Sequence, residues 1–254
     1  MKIIISPAKK MNTDTDSLPW RDLPKFLPEA KELCGYLREM DYDALKKLWK
    51  CNDQIATLNQ ERLEHMDLTS NLTPAILAYE GIQYQYMAPT VFTEDEYEYI
   101  QSHLRILSGL YGVLKPFDGI TPYRLEMQAK LNTCNAKDLY TYWGSKVAEE
   151  LCKDTDRIVN LASKEYSACV SKHLPPNVQF ITCVFAEEKG GKLIEKGTMC
   201  KMARGEMVRY MAENRITDPV DLRTFQRLEY VFDEDHSNEH TFVFVRKKKD
   251  TLPE

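Results

Sequence analysis

The spacing of apolar residues predicts helices in the first half of the chain and strands in the second half. The chain opens with a short apolar run over residues 2–5, KIII, which is β-branched and bounded by Ser-Pro. This run predicts a short buried strand. Residues 12–28 are rich in prolines and turn formers and predict an irregular crossing segment, whereas the apolar spacing over residues 28–62 is helical.

Two further helices are predicted before residue 110. Residues 71–79 predict a short helix with Thr73 as its N-cap, and the two tyrosines after it, Tyr84 and Tyr86, are assigned to a loop. The sequence TEDE at 93–96 is a capping box. The apolar stripe behind it continues to Leu107, which predicts a helix that ends at Gly109 as a C-cap glycine.

The remaining apolar segments are mainly β-branched or aromatic and predict strands, with two helices between them. The predicted helices cover residues 138–152 and 201–214. The predicted strands cover residues 158–163, 179–187, 192–200 and 240–248, and the second and third of these are expected to form a hairpin around a Lys-Gly-Gly turn.

Together these elements predict an α+β or mixed α/β fold with a central mixed sheet. Neither a repeat nor a low-complexity linker divides the chain, so residues 1–254 are expected to form one domain. Of these residues 43% are hydrophobic and 29% are charged, which is ordinary for a globular protein. The formal net charge of −5 excludes a uniformly basic coat for nucleic acid and leaves room for a local basic cleft.

The cysteines and the N-terminal segment indicate a soluble cytoplasmic protein. The seven cysteines are scattered and form no CxxC pair, which favours reduced thiols over a disulfide framework or a zinc site. The sequence MKIIISPAKK is too short in apolar residues for a signal peptide. The P-loop, GxGxxG, HExxH and GxSxG motifs are absent, which argues against standard members of those classes, and we expect no cofactor.

The stretch LSGLYGVLKPFD, residues 107–118, carries two glycines followed by a lysine and a proline. Glycines let a backbone approach a ligand closely and direct amides at it, and amides with nearby cations suit phosphate. The stretch resembles a helix-hairpin-helix, although that module has Gly-apolar-Gly and here two residues separate Gly109 from Gly112. A structural turn after a capped helix explains the same residues. The cations that would add charge are Arg105, Lys115 and Arg124.

Four other polar clusters stand at predicted element ends. They are ISPAKK with Lys9, PYRLEM with Tyr123, Arg124 and Glu126, NLASKEY with Lys164 and Glu165, and KMARG with Lys201 and Arg204. Ligand groups commonly lie at the carboxyl ends of strands. If the strands are neighbours, we expect these clusters to converge on one polar, partly basic cleft. The acidic run DEDHSNEH, residues 233–240, is interpreted as a solvated loop, and no metal site is predicted.

Several blocks of this sequence resemble the YaaA family of bacterial proteins. They are ISPAK, LSGLYGVLKPFD, PYRLEM, YWG at 142–144, NLASKEY, KMARG and FDE at 232–234, and they occur in order over nearly the whole chain. The resemblance implies a role in resistance to peroxide stress through limiting free intracellular iron. It also implies DNA binding by a helix-hairpin-helix-like element and a positively charged cleft in an unusual α/β fold.

Two functions are compatible with these polar clusters. A third interpretation is that the clusters form a structural ion-pair network and bind no ligand. The first is a DNA-binding stress protein that grips the phosphate backbone and either protects DNA or limits iron. Its candidate residues are Lys9, Arg105, Gly109, Gly112, Lys115, Tyr123, Arg124, Lys164, Lys201 and Arg204. The second is an enzyme acting on a nucleotide or nucleobase, with Glu126, Glu165 and Lys9 as catalytic candidates. A deep pocket with a carboxyl of raised pKa favours the enzyme, and a shallow basic groove favours the binder.

Overall fold

A computed structural model describes residues 1–247, and an eight-stranded mixed sheet forms its centre. Numbered in chain order, the strands of this sheet are β1 (Lys2–Ile5), β5 (Leu104–Ser108), β6 (Gly112–Leu114), β8 (Arg157–Leu161), β9 (Gln179–Lys189), β10 (Lys192–Ile194), β11 (Tyr230–Asn238) and β12 (Thr241–Arg246). Two small pairs lie outside it, β2 (Lys10–Met11) with β4 (Tyr79–Glu80), and β3 (Thr73–Pro74) with β7 (Gly119–Ile120).

Ten α-helices lie between residues 27 and 213 of the described chain. They are α1 (Leu27–Arg38), α2 (Tyr42–Trp49), α3 (Asp53–Glu64), α4 (Ala75–Ala78), α5 (Ile82–Met87), α6 (Glu94–His103), α7 (Leu139–Trp143), α8 (Lys146–Leu151), α9 (Lys164–Ser171) and α10 (Gly197–Glu213). Short 3-10 turns cover Pro89–Val91 and Pro219–Thr224. The α+β fold with a central mixed sheet is confirmed. No helix within residues 1–247 is long and apolar enough to cross a membrane.

Strand β1 lies in the middle of the sheet, between β5 and β8, and runs parallel to both. The sheet order is β11-β12-β9-β8-β1-β5-β6, with β10 paired to β9. All four residues of β1 are buried, which explains why the strand is a continuous apolar run rather than an alternating one. Because β1 and β8 are parallel neighbours, their carboxyl ends meet at the same edge of the sheet.

The glycine stretch differs from its prediction. The capping box of Thr93 and Glu96 is confirmed, but helix α6 ends at His103 and the next five residues form strand β5. Strands β5 and β6 form an antiparallel hairpin, so Gly109 is not a helix C-cap and residues 107–118 do not form a helix-hairpin-helix. The physical reason is burial: residues 106–114 are buried throughout, and the ladder with β1 satisfies the backbone of β5.

Several other boundaries also differ. Tyr84 and Tyr86 lie in α5 rather than in a loop, and Thr73 lies in β3 rather than at an N-cap. Three helices with breaks cover residues 28–62, and Gly144 separates α7 from α8 within 138–152. The strand predicted over 192–200 ends at Ile194 because α10 begins at Gly197.

The strands predicted at 158–163 and 179–187 are confirmed as β8 and β9. The strand predicted over 240–248 is confirmed as β12 within the described part of the chain, and residue 248 lies outside the described residues. The acidic run, by contrast, lies mostly in the edge strand β11 and is not a loop.

Candidate functional site

A cavity of about 530 Å³ opens at the carboxyl ends of β1 and β8. Five separate lengths of chain line it. They are residues 6–10, residues 80–84, residues 123–126, the group Ser163, Glu165 and Tyr166, and the pair Lys201 and Arg204. Four of the polar clusters noted in the sequence thus meet around one space. Two of them follow the parallel strands β1 and β8, and the other two lie in the segment over residues 123–126 and on α10.

Two serines join the strand ends beneath this cavity. Ser6 follows β1 and Ser163 follows β8, and the backbone N–H of Ser163 donates to Oγ of Ser6 over 2.8 Å. The two hydroxyl oxygens are 3.2 Å apart. The hydroxyl of Tyr84, from α5, donates to the carbonyl of Ser6 over 3.0 Å. These bonds fix the chain after β1 against both α5 and the start of α9.

The segment that carries Tyr123, Arg124 and Glu126 is held close to the β5–β6 turn by Gly109. A Cβ on Gly109 would lie 2.3 Å from the carbonyl oxygen of Leu125, so another side chain there would push the segment away. The hydroxyl of Tyr123 lies 2.6 Å from that of Ser108 and 2.8 Å from that of Tyr79. Burial raises the pKa of Tyr123 to about 12, and the hydroxyl therefore remains protonated at neutral pH.

Glu126 joins two cations on the cavity wall. One carboxylate oxygen lies 2.8 Å from Nζ of Lys9, and the other accepts from Nη2 of Arg124 over 3.2 Å. The same Nη2 donates to the carbonyl of Trp49 at the end of α2, over 3.4 Å. The side chains of Arg124 and Glu126 are 10% and 17% exposed, so this pair is largely shielded from water.

Glu165, in the first turn of α9, is the carboxyl group with a perturbed pKa. Burial raises its pKa, and the nearby negative charge of Glu126 adds to the increase. The backbone N–H of Gln128, 3.3 Å from Oε1, and the charge of Lys9 oppose it. A half-buried carboxyl with a raised pKa holds its proton to higher pH, and such a group can donate or accept a proton in catalysis.

Three buried nitrogen donors on the cavity lining have no hydrogen-bond acceptor among the described residues. They are Nε2 of Gln83, Nε of Arg124 and Nε of Arg204. Buried donors without acceptors are uncommon in folded proteins because each loses its bond to water without replacement. Three residues of the cavity lining therefore each keep a donor that no described group accepts.

The structure brings together seven of the residues that the sequence singled out. Lys9, Tyr123, Arg124, Glu126, Glu165, Lys201 and Arg204 all line the cavity. Arg105 does not: its Nη1 donates to the carbonyls of Gln101 and Leu104, at the amino-terminal end of β5. Lys115 is also outside it, 3.9 Å from Asp22, and the exposed Lys164 is not part of the lining.

Gly109 and Gly112 serve the fold rather than the cavity surface. Gly109 faces the backbone of Leu125, as described, and Gly112 has a φ of +68° and lies against the ring of Trp143. The carbonyl of Gly109 also accepts from the indole N–H of Trp143 over 3.0 Å. The close backbone approach that the glycines suggested is therefore an approach to the protein's own chain.

The candidate residues from the sequence did not include Gln83 and Tyr84, nor Ser6 and Ser163, although these two serines lie within the clusters ISPAKK and NLASKEY. Gln83 and Tyr84 lie in α5, a helix of six residues that is too short to show an apolar period. A signal for the serines was present, because Ser6 comes directly after the buried strand β1 and Ser163 comes two residues after the end of β8. No three His, Cys, Asp or Glu side chains within residues 1–247 are grouped so that they could hold a metal ion.

The fold and the cavity define an α+β protein with a cavity lined by charged residues at the ends of its parallel strands. A sequence model of the family described as "Peroxide stress protein YaaA" matches residues 1–236. The chain belongs to this family.

Relatives named UPF0246 protein are similar over almost the whole chain. Those of Lachnoclostridium phytofermentans and Agathobacter rectalis are each 54% identical, over 97% of this chain and 96% and 99% of theirs. That of Pediococcus pentosaceus is 50% identical over 98% of this chain and 99% of its own.

Proposed function

We propose that this member of the peroxide stress protein family is an enzyme that acts on a nucleotide or nucleobase in the cavity. The observation that carries the proposal is a cavity of about 530 Å³ whose lining includes Glu165, a carboxyl whose pKa is raised by burial. Small-molecule sites commonly occupy about 300–1,000 Å³. A surface made only to bind phosphates needs neither a cavity of this volume nor a carboxyl of raised pKa.

The lining supports a nucleotide over other small molecules because it combines three kinds of contact. The rings of Tyr84, Tyr123 and Tyr166 give flat apolar walls that suit a planar base. The side-chain amide of Gln83 offers a donor of the kind that reads base edges. Arg124 and Arg204 offer the positive charge that a phosphorylated ligand needs.

The acid–base chemistry centres on Glu165. Its raised pKa lets it give a proton to a ring nitrogen or to a leaving group, and then take one back. Lys9 and Arg124 are already fixed by Glu126, so their positive charges need little reorganisation when negative charge develops on a ligand. The hydroxyl of Tyr123 is held between those of Ser108 and Tyr79, which fixes the ring that lines the cavity.

Glu165→Gln tests the proposal, because it keeps the shape of the side chain and removes the titrating group. We expect nucleotides and nucleobases, screened by isothermal calorimetry, to bind the wild-type chain and the variant alike, since the proton donor acts in the reaction step. Any turnover of a bound ligand, followed by chromatography, should fall about 100-fold or more in the variant.

The matched control is Glu149→Gln, which changes an exposed glutamate on α8 and should leave both readouts unchanged. Failure of every nucleotide and nucleobase to bind the wild-type chain would overturn the proposal. So would a turnover that Glu165→Gln does not reduce.

DNA binding is the second candidate, and the exposed lysines at the cavity mouth favour it. Lys9 and Lys10 are 64% and 73% exposed in their side chains, and Lys201 is exposed beside them on the lining. Exposed lysines suit contacts with phosphates that vary with salt. In this candidate the protein would contribute to peroxide resistance by shielding DNA or by limiting free iron.

A further inference from the structure

Arg204 is a partly buried cation without a partner. It lies on α10 and lines the cavity, and it forms neither an ion pair nor a hydrogen bond with the residues described. Burial raises the pKa of the nearby Cys183 thiol to about 12, and Arg204 is the charged group that opposes this increase. The Nε atom of Arg204 is itself out of contact with solvent. Charges in such places are normally paired, because taking them from water costs free energy.

Gln83 presents a second donor from the neighbouring helix. The residue is 7% exposed and its Nε2 has no acceptor among the described residues. Helix α5, which carries it, packs closely against α10: a Cβ on Gly205 would lie 2.1 Å from the carbonyl oxygen of Gln83. Gln83 and Arg204 are thus held on adjacent helices along one wall of the cavity.

Arg124 adds a third donor with a nine-tenths buried side chain. Its Nη2 is occupied by Glu126 and Trp49, whereas its Nε has no acceptor among residues 1–247. The three unsatisfied groups are all donors, two of them on guanidinium groups. The missing partner must therefore supply acceptor oxygens, and negative charge would match the guanidinium groups best.

We infer that Arg204, Gln83 and Nε of Arg124 form an oxyanion subsite, and that the ligand of this cavity is a nucleoside monophosphate rather than a free base or nucleoside. That the ligand carries a base rests on the proposed function. That it carries a phosphate rests on the three free donors. The subsite also sets the orientation, because the phosphate occupies the wall formed by α5, α10 and Arg124. The base then lies toward Glu165, the group that would exchange a proton with it.

The test compares ligands that differ only in the phosphate. The purified full-length chain is titrated by isothermal calorimetry with adenosine, guanosine, cytidine and uridine, with their 5′-monophosphates, and with inorganic phosphate. We expect at least one monophosphate to bind about 30-fold or more tightly than its nucleoside, because charge-assisted hydrogen bonds are worth more than neutral ones. Arg204→Gln should remove most of that difference and leave nucleoside binding as it was.

Arg209→Gln is the control on the same helix, because Arg209 pairs with Glu213 on the surface and does not line the cavity. It should keep the full preference for the monophosphate. Arg204→Met adds a readout that a structural arginine would not give. Removing an unpaired, partly buried charge should raise the midpoint of thermal unfolding while monophosphate binding is lost. A lower midpoint together with weaker nucleoside binding would make Arg204 a structural residue and overturn the inference.

The remaining outcomes separate the two proposals. Equal affinity for nucleosides and their monophosphates would overturn the oxyanion subsite and leave the proposed function standing. Binding of inorganic phosphate that depends on Arg204, without binding of any nucleoside or nucleotide, would support the subsite and overturn the nucleotide proposal. Binding of none of these probes would contradict both.

Discussion

The buried carboxyl of Asp118 makes the stability of this protein depend on pH. It lies between β6 and β7, is 3% exposed, and accepts the backbone N–H of Lys115 over 2.8 Å. Burial raises its pKa to about 7, and the hydrogen bond and charge of Lys115 only partly offset that effect. The folded state therefore binds the proton more tightly than the unfolded chain does. The resulting stability is complete at low pH and is lost as pH rises toward 7.

Asp118→Asn should remove this dependence, because an amide keeps the acceptor oxygen and does not ionise. The difference in free energy of unfolding between the variant and the wild type should grow in favour of the variant by roughly 2–4 kcal/mol as pH rises from about 4 to 7. Above about pH 7 this difference should stay constant. Urea unfolding at a series of pH values measures the difference. A difference that does not vary with pH would show that Asp118 is ionised in the fold at all of them.

Single residues were the least predictable level of this structure. The local pattern around Gly109 fits a phosphate-binding turn, a helix end and a tight hairpin equally well, and only the position of Leu125 decides among them. The same limit applies to Arg105 and Arg204. Both are arginines near apolar positions, but the first donates to carbonyls at one end of β5 and the second lines the cavity at the other end of the sheet.

At the level of elements, the packing of α10 on α5 depends on Gly205. Gly205→Ala places a methyl group against backbone atoms of Gln83 and Met87, which cannot move aside as a flexible side chain can. We expect the variant to lose about 1–3 kcal/mol of stability and to bind cavity ligands more weakly, because Arg204 is displaced. Chemical unfolding and calorimetry measure the two effects.

The control for this variant is Gly35→Ala in the middle of α1, where an added Cβ would meet nothing within 4 Å. There the higher helix propensity of alanine should stabilise the chain by about 0.5–1 kcal/mol. Equal effects of the two substitutions would mean that α5 and α10 are not in close contact.

The elements that sequence reasoning recovered are those with a strong local signal. β1, β8 and β9 are β-branched runs, and α6 has a complete capping box at Thr93 and Glu96. Strand β5 was assigned to a helix because Leu104 and Leu107 continue the spacing of the apolar stripe in α6. Strand β11 was missed because it lies at the edge of the sheet, where acidic side chains face water.

At the scale of the whole molecule, the sequence could predict that polar clusters at strand ends lie together. It could not predict the cavity that they form. Parallel strands place their carboxyl ends together, so clusters after β1 and β8 had to be neighbours. The enclosure of the cavity depends on α5 and on the segment over residues 123–126, whose positions come from long-range packing.

The negative net charge of the chain limits which residues could bind DNA. The chain carries −5 overall, so binding to a polyanion would have to come from the lysines at the cavity mouth. Replacing Lys9, Lys10 and Lys201 with alanine should weaken binding to all duplexes alike. It should also reduce the slope of log K against log salt by roughly 0.9 for each phosphate that the protein no longer neutralises. Fluorescence anisotropy over a salt series measures both.

The matched control removes three exposed lysines of the β9–β10 region, Lys189, Lys192 and Lys196, which do not line the cavity. It should change the slope less than the first set of substitutions. An equal change in the two variants would mean that DNA binds the chain without regard to the cavity. No binding by the wild-type chain at low salt would remove DNA from its partners.

The central place of β1 has a consequence for how the protein is made. Synthesis produces Ile3, Ile4 and Ile5 long before their partners, since more than 150 residues separate Ile3 from Val159 in β8. At about 5–20 residues per second, this run waits roughly 8–30 s before β8 exists. Ile3 also pairs with Leu104 of β5, which is made earlier than β8, so until β8 exists β1 can pair only on its β5 side. A nascent chain with the other side of this apolar strand unpaired is a natural client for a chaperone at the ribosome exit.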